Sequence, residues 1–109
     1  MAKAESNAKD TVAARTRTVA YDVAEQLRTP QEMAAYLEAW LQEAPDDAAG
    51  ITRALGDIAR AKGMSQVARD AGLSRESLYK ALSETGNPSF ATVLKVARAL
   101  GVKFHAAAA

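Results

Sequence analysis

The side chains best suited to chemistry in this sequence lie in the stretch 74–80, SRESLYK. At helical spacing, Leu78 turns toward a core and the polar side chains point outward. An arginine fork can donate two hydrogen bonds to guanine, while lysine or tyrosine can reach a phosphate or a thymine methyl group. This pattern predicts contacts with the major groove of DNA. The candidate contact residues are Ser74, Arg75, Glu76, Ser77, Tyr79 and Lys80.

Two neighbouring segments can add contacts to the same nucleic acid. Ser65 and Gln66 begin the preceding helix, where backbone N–H groups and a side-chain amide can hold a phosphate oxygen. The turn at 86–89 can place Asn87 on a flanking phosphate. The alternative is that all these side chains are solvated positions of an ordinary helical bundle.

The segment 64–82 has the spacing of two short helices joined by a tight bend. Ala68 is small where two helices must cross closely, and Gly72 can adopt the positive φ that a tight bend requires. Further along, Leu78 returns the second helix to the core. Together these residues predict a helix-turn-helix, in which the second helix offers its first residues to base edges.

Other reactive chemistry is scarce in the sequence. There is no cysteine, which excludes disulfides and thiolate metal sites and favours a reducing cytoplasm. His105 is the single histidine, and the pair Asp46 and Asp47 is better explained as a helix cap than as a catalytic dyad. No apolar run approaches the ~18 residues that cross a bilayer, and no secretion signal is apparent. We therefore expect no enzymatic activity, no cofactor, no metal and no membrane contact.

The net charge of +1 conceals a strong division along the chain. Residues 19–50 carry seven Asp or Glu against one Arg, whereas residues 51–109 carry nine Lys or Arg against four Asp or Glu. The basic half contains the predicted helix-turn-helix and suits a polyanion, while the acidic half requires another partner or none. Both halves can also be explained as ordinary solvated surfaces.

The amino-terminal part of the chain predicts a tail followed by an amphipathic helix. Residues 1–18 are polar and have no hydrophobic period, which is typical of a disordered tail. Thr29, Pro30 and Glu32 have the spacing of a capping box with proline at the first helical position. They predict a helix that continues to about Ala44.

The rest of the chain predicts four more helices, and hence an all-α fold. Apolar residues make up 49% of the sequence but aromatics only 6%, which suits packed helices better than a sheet. Each helix has a polar residue that can cap its first turn: Asp46 or Asp47 for a helix ended by Gly63, Ser65 for 66–71, Ser74 for 75–83, and Ser89 for a helix ended by Gly101. Val102 and Phe104 alternate with polar residues and predict a short edge strand.

These elements divide the chain into four segments: a disordered tail at 1–18, a helical partner or dimer segment at 19–45, a DNA-binding bundle at 46–104 and a tail at 105–109. The helix of the second segment has an apolar face that the bundle does not obviously need. That face either packs on the bundle or contacts a basic protein partner or a second copy of the chain. The candidate partner residues are Tyr21, Met33, Tyr36, Leu37, Glu38, Trp40 and Glu43.

Three blocks of the sequence resemble the addiction-module antidote proteins, which are HigA-type antitoxins with a Cro/C1-like (Xre) helix-turn-helix. They lie within about residues 20–104 and read YDVAEQLRTPQEMAAYLEAWLQEA, LGDIARAKGMSQVARDAGLSRESLYKALS and GNPSFATVLKVARALGVKF. The resemblance implies a Cro/C1 repressor-like bundle in a cytoplasmic bacterial antitoxin. It also implies a toxin partner of the RelE/ParE superfamily, of the HigB type that cleaves messenger RNA, and repression of the module by a homodimer on double-stranded operator DNA.

Two features depart from the pattern of that family. Gln66 lies six residues before Gly72, whereas many Cro/C1-like domains have eight, and the chain ends in HAAAA where the family usually continues as a strand. Two other functions remain open. One is a stand-alone Cro/C1-like repressor without a toxin, and the other is a protein-interaction adaptor that no longer binds DNA.

Overall fold

The computed structural model describes residue 23 and residues 25–109, and the regular elements found there are all α-helices. The predicted disordered tail at 1–18 and Tyr21 lie outside the described residues. Residues 23, 25 and 26 are helical, and five further helices follow within the described residues, of which none is in a strand. In chain order they are α1 (Pro30–Glu43), α2 (Ala48–Lys62), α3 (Met64–Ala71), α4 (Arg75–Ala81) and α5 (Phe90–Leu100).

Helix α1 begins at the capping box that the sequence predicts. The Thr29 hydroxyl accepts a hydrogen bond from the Glu32 backbone N–H at 3.1 Å, and the Glu32 carboxylate accepts one from the Thr29 N–H at 3.2 Å. The same carboxylate accepts the Arg28 N–H at 2.8 Å and the Arg28 guanidinium at 3.2 Å. These bonds satisfy N–H groups that have no partner within the helix. The predicted start of α1 is therefore confirmed.

Helix α1 packs on α2 and is also joined to it by a buried hydrogen bond. The Tyr36 hydroxyl donates to the Asp57 carboxylate at 2.9 Å, and Asp57 also accepts from the Arg60 guanidinium at 2.9 Å.

At the start of α2, Asp47 caps the helix by accepting the Gly50 N–H at 2.8 Å. A Cβ at Gly50 would overlap both the Trp40 ring and the Asp47 carboxylate, so glycine permits this close approach.

Helices α3 and α4 are joined by a short bend that depends on Gly72. This residue has φ +73°, which glycine adopts without steric cost, and its N–H bonds to the carbonyls at the end of α3. Ser74 then caps α4 by accepting the Ser77 N–H at 2.9 Å, as predicted. The helix ends at Ala81, two residues earlier than the sequence predicts.

The predicted cap at Ser65 is wrong. Helix α3 begins one residue earlier, at Met64, with Gly63 at the cap position and no side-chain hydrogen bond there. Because α3 follows α2 after this single glycine, Met64 is already helical and its side chain is buried in the core. Ser65 is instead an exposed residue of the first turn.

The predicted edge strand after α5 is also wrong. Ser89 caps α5 and Gly101 ends it in the left-handed conformation, both as predicted. Directly afterwards the Val102 N–H bonds to the Ala97 carbonyl at 2.9 Å and so completes the end of the helix. No described residue offers a strand edge against which 102–105 could pair.

The core is formed by one side of every helix, with α3 packed against α2, α4 and α5, and α1 packed on α2. Its largest fully buried side chains include Trp40, Leu37, Ile58 and Leu78. Lys62 adds a polar link, because its ammonium donates to the Ala99 carbonyl near the end of α5 at 2.7 Å. The other helices therefore form the core on which α4 packs.

Candidate functional site

Helix α4 is anchored from below and exposed above. Leu78 is fully buried and Leu82 nearly so, and they fix the helix on the core. The six side chains predicted to contact DNA from this helix and its cap are all exposed: Ser74, Arg75, Glu76, Ser77, Tyr79 and Lys80. The structure therefore brings them together on one outward surface, which we call the α4 face.

Arg75 and Tyr79 form a pair on the α4 face. The Arg75 guanidinium donates to the Tyr79 hydroxyl at 3.2 Å, and its central carbon lies 5.3 Å from the ring centroid. Stacking of this kind orients the guanidinium without using all of its five N–H donors. The remaining donors of Arg75 are not engaged by any described residue, so the fork remains available to an acceptor.

Ser74 and Ser77 differ in what they can offer. The Ser74 hydroxyl accepts the Ser77 N–H and donates to the Ser77 hydroxyl at 2.8 Å, so it is occupied in shaping the start of α4. Ser77 lies on the side of α4 that faces the loop after it, where Ser77, Lys80 and Asn87 line one shallow depression. The structure thus brings Asn87, predicted from a separate turn, next to the α4 face.

The beginning of α3 contributes a second set of exposed polar side chains. Ser65 and Gln66 are both exposed, as a contact with a ligand requires. The Gln66 amide donates to Asp70 at 2.9 Å and accepts from the Arg69 guanidinium at 2.9 Å. Arg69 was not among the predicted contact residues. Its position three residues after Gln66, on the same side of a helix, was the signal that could have found it.

Most of the residues predicted to form a partner surface on α1 do not lie at the surface. Met33, Tyr36, Leu37 and Trp40 are buried in the core, where they cover α2 and its neighbours. In this fold they offer no surface to another molecule, so the apolar stripe is a packing face, which was the other explanation left open by the sequence. Tyr21 lies outside the described residues.

The two acidic residues of that predicted surface remain accessible but lie apart. Glu38 is exposed and accepts a hydrogen bond from Gln42 at 2.7 Å, whereas Glu43 is half-buried at the last position of α1. Five residues of helix separate them, which is about 140° of rotation at 3.6 residues per turn. They therefore do not form a single acidic cluster.

A second feature that sequence reasoning missed is an apolar surface. Phe90 is 71% exposed and Leu94 is 45% exposed, although both belong to the apolar pattern of α5. Leu41 of α1 and Phe104 after α5 are exposed next to them, and Phe104 lines three adjoining depressions that these residues share. We call these four side chains the apolar face.

Two kinds of site are not found among the described residues. No helix there is both long enough and apolar enough to cross a membrane. Within the same part of the chain, no three side chains of the His, Cys, Asp and Glu types are grouped as ligands for a metal ion.

A family model matches most of this chain. Residues 17–108 match the family described as "probable addiction module antidote protein". The chain is also 61% identical over 85 residues to an uncharacterized protein of Haemophilus influenzae, and the match covers 78% of this chain and 86% of that protein. No solved structure matches the chain. An antidote acts against a toxin, so the family implies a toxin partner, and the chain belongs to the addiction module antidote proteins.

Proposed function

We propose that the chain is a cytoplasmic antitoxin that binds its own operator DNA as a homodimer and represses its module. In this proposal α3 and α4 act as a helix-turn-helix of the Cro/C1-like, HigA type, and α4 enters the major groove. The toxin that it neutralises is a member of the RelE/ParE superfamily. The chain acts by binding and carries no enzymatic step.

The observation that carries the DNA-binding part is the composition of the α4 face. Six polar side chains are exposed there while Leu78, on the opposite side of the same short helix, is fully buried. An α-helix with its side chains is about 10–12 Å in diameter and fits a major groove about 12 Å wide. Because α4 is already held in place by its packing on the other helices, DNA binding has to order little of the protein and costs little conformational entropy.

The side chains of the α4 face have distinct roles in this proposal. Arg75 reads a guanine through its fork, with Tyr79 holding the guanidinium plane in place and contacting the groove or a phosphate. Glu76 can accept from a cytosine amino group. Lys80 and Asn87, which border one depression, bind the backbone of the flanking strand. Ser74 positions the helix by capping it.

Helix α3 supplies phosphate contacts at the other side of the bend. Ser65 and Gln66 are exposed in its first turn, and Arg69 extends the same surface by one further turn. Contacts to phosphates set the register of the protein on DNA but do not discriminate between sequences. We therefore assign affinity to α3 and sequence preference to α4.

The experiment is a mobility shift with the DNA directly upstream of the coding sequence and with an unrelated duplex of equal length. Arg75→Ala should weaken binding to the upstream DNA by ~1–3 kcal/mol, or roughly 5- to 150-fold, with much less change for the unrelated duplex. Arg28→Ala is the matched control, because it removes the same charge from an exposed position beside α1. It should leave both affinities nearly unchanged.

Two results would contradict this assignment. If wild-type protein fails to shift the upstream DNA, the helix-turn-helix role is wrong and an adaptor function gains support. If Arg75→Ala weakens binding to both duplexes equally, Arg75 is a phosphate contact and the guanine assignment is wrong.

The toxin contact is assigned to the outer surface at the end of α1, where Glu43 lies in a last turn that contains no basic residue. An acidic side chain at a helix carboxyl end is electrostatically unfavourable, and a basic partner would relieve it. The exposed Asp46 lies three residues further along the chain. Glu38, which lies elsewhere on α1, borders the apolar face.

Co-expression with the product of the neighbouring reading frame tests this contact. A tagged chain should retain that product, and the double variant Glu43→Lys with Asp46→Lys should retain at least tenfold less. Glu84→Lys is the control, since it reverses an exposed acidic residue after α4. Failure of the wild-type chain to retain any partner would favour a stand-alone repressor.

A further inference from the structure

We propose that the apolar face, formed by Leu41, Phe90, Leu94 and Phe104, is where a second copy of this chain binds. This inference rests on the proposed function, because it names the surface of the homodimer that a two-fold operator requires. Four of the five large apolar side chains that are exposed in the described part of the chain belong to this one surface. Clustering of this kind marks an interaction site, whereas scattered exposed apolar residues do not.

The apolar face is continuous rather than a set of isolated side chains. Leu41, Phe90 and Phe104 line one groove, in which Ile51 and Val93 form part of the floor. Leu94 and Phe104 line the next depression, and Leu41 and Phe104 a third. Phe104 thus lies at the centre, with α1 on one side and α5 on the other. A flat patch with a central aromatic residue is suited to the core of an interface.

The charges around the apolar face favour a second copy over a basic protein. Glu38 lies on the α1 side of Phe104 and Arg98 on the α5 side, while Lys103 borders both depressions. Neither Arg98 nor Lys103 has an ion-pair partner among the described residues. A two-fold axis near Phe104 brings the acidic side of one copy to the basic side of the other. A basic toxin would instead meet like charges at Arg98 and Lys103.

The position of the apolar face also fits a dimer on DNA. Asn87 lines the groove that contains Phe90 and also the depression that contains Ser77 and Lys80, so the apolar face adjoins the α4 face. A contact between two copies at the apolar face therefore lies beside the α4 helices that the proposed function places on DNA.

The test is the mass of the full chain in solution, measured by light scattering or sedimentation equilibrium in the absence of DNA and toxin. The wild-type chain should have twice its monomer mass of 11.5 kDa. Phe90→Glu and, separately, Leu94→Glu should each shift the mass to 11.5 kDa at the same concentration. Both residues are substantially exposed, and Phe90 lies in the first turn of α5, where an acidic residue is favourable for the helix.

Gln31→Glu is the matched control, since it also adds an acidic residue to the first turn of a helix but at an exposed position outside the apolar face. It should remain dimeric. Circular dichroism should show the same helix content in all four proteins, which confirms that the variants are folded. The separate variant at Leu94 keeps the test decisive if Phe90→Glu fails to fold.

Three outcomes would overturn the proposal. A monomeric wild-type chain excludes a second copy as the occupant, and dimeric Phe90→Glu and Leu94→Glu proteins show that the two copies meet elsewhere. Variants that stay dimeric but no longer retain the neighbouring gene product would assign the apolar face to the toxin. Because mass is measured without DNA, a dimer that does not shift DNA contradicts DNA binding but not this inference. A monomer that does shift DNA contradicts this inference and the proposed homodimer, but not DNA binding.

Discussion

Removal of the Tyr36 hydroxyl provides a sharp test of how the acidic helix α1 is attached. Tyr36→Phe deletes a single oxygen and leaves the ring in the core. That oxygen donates to the Asp57 carboxylate at 2.9 Å, and Asp57 is only 6% exposed. The bond spans 21 residues of sequence and joins α1 to α2. If α1 is an integral part of the bundle, loss of this hydrogen bond must lower the free energy of unfolding.

The magnitude follows from the partners of Asp57. A hydrogen bond to a charged acceptor contributes ~1.5–3 kcal/mol when its loss leaves the acceptor buried. Asp57 retains its contact with Arg60 at 2.9 Å, but the Arg60 side chain is about half exposed and can only partly compensate. We therefore expect Tyr36→Phe to lower the free energy of unfolding by about 2 kcal/mol. At the usual urea dependence for a small domain, the midpoint falls by roughly 1–2 M.

The assay is urea denaturation followed by fluorescence of Trp40, the single tryptophan. Trp40 belongs to α1 and is buried against the start of α2. Tyr79→Phe is the matched control, because it removes the same atom from a ring that is 43% exposed and whose hydroxyl accepts only from exposed Arg75. It should change stability by less than about 0.5 kcal/mol. A Tyr36→Phe protein as stable as wild type, or a Tyr79→Phe protein equally destabilised, would refute the reasoning.

Two further predictions concern the first turns of α1 and α2. Gly50→Ala should destabilise the protein by about 2 kcal/mol in thermal or urea unfolding, because overlap with Trp40 and Asp47 outweighs the ~1 kcal/mol gained in helix propensity. Gly56→Ala in the same helix is its control: its Cβ would lie 3.2 Å from the Leu82 carbonyl, and we expect near-neutral stability. The pKa of Glu32 should lie below its ordinary value of 4.5, because the Arg28 N–H and guanidinium and the Thr29 N–H stabilise the carboxylate. Its contribution to stability is then present above pH 4.5 and lost as the pH falls through the lowered pKa; an NMR titration midpoint at or above 4.5 would contradict this.

The helix starts were predictable where a single side chain decides them. Thr29, Ser74 and Ser89 each cap the helix that the sequence assigned to them, because a cap needs only residues within three positions. Of the two candidates Asp46 and Asp47, it is Asp47 that caps α2. Ser65 has the same chemistry but no such role. Burial of Met64 places the start of α3 one residue earlier, and a tertiary contact of that kind has no signature in the local sequence.

The exposed surface of α4 was predictable because its anchor was recognisable. Once Leu78 is assigned to the core, helical geometry alone fixes the direction of Arg75, Tyr79 and Lys80, and all three are exposed. The pairing of Arg75 with Tyr79 follows from their spacing of four residues. The approach of Asn87 to Lys80 could not be predicted, since it depends on the path of the loop between α4 and α5.

The apolar residues show the limit of periodicity. The same three- and four-residue steps place Trp40 in the core of the bundle and leave Phe90 largely exposed. A periodic apolar face shows that a helix is amphipathic, but it does not identify what covers that face. For α1 the cover is α2, and for Phe90 no described residue covers most of the ring.

The burial of the apolar side of α1 constrains how toxin and DNA binding can influence each other. Because Leu37 and Trp40 are part of the same core that holds Leu78 under α4, the acidic helix is not a separate arm that can fold on a toxin while the rest binds DNA. The toxin surface proposed at Glu43 and the α4 face then belong to one folded unit. A bound toxin can change DNA affinity only through its own charge and volume or through the dimer, since coupling requires a state that the two ligands bind differently. Because Asn87 borders both the apolar face and the depression beside α4, a dimer formed at the apolar face would be the element that transmits such coupling most directly.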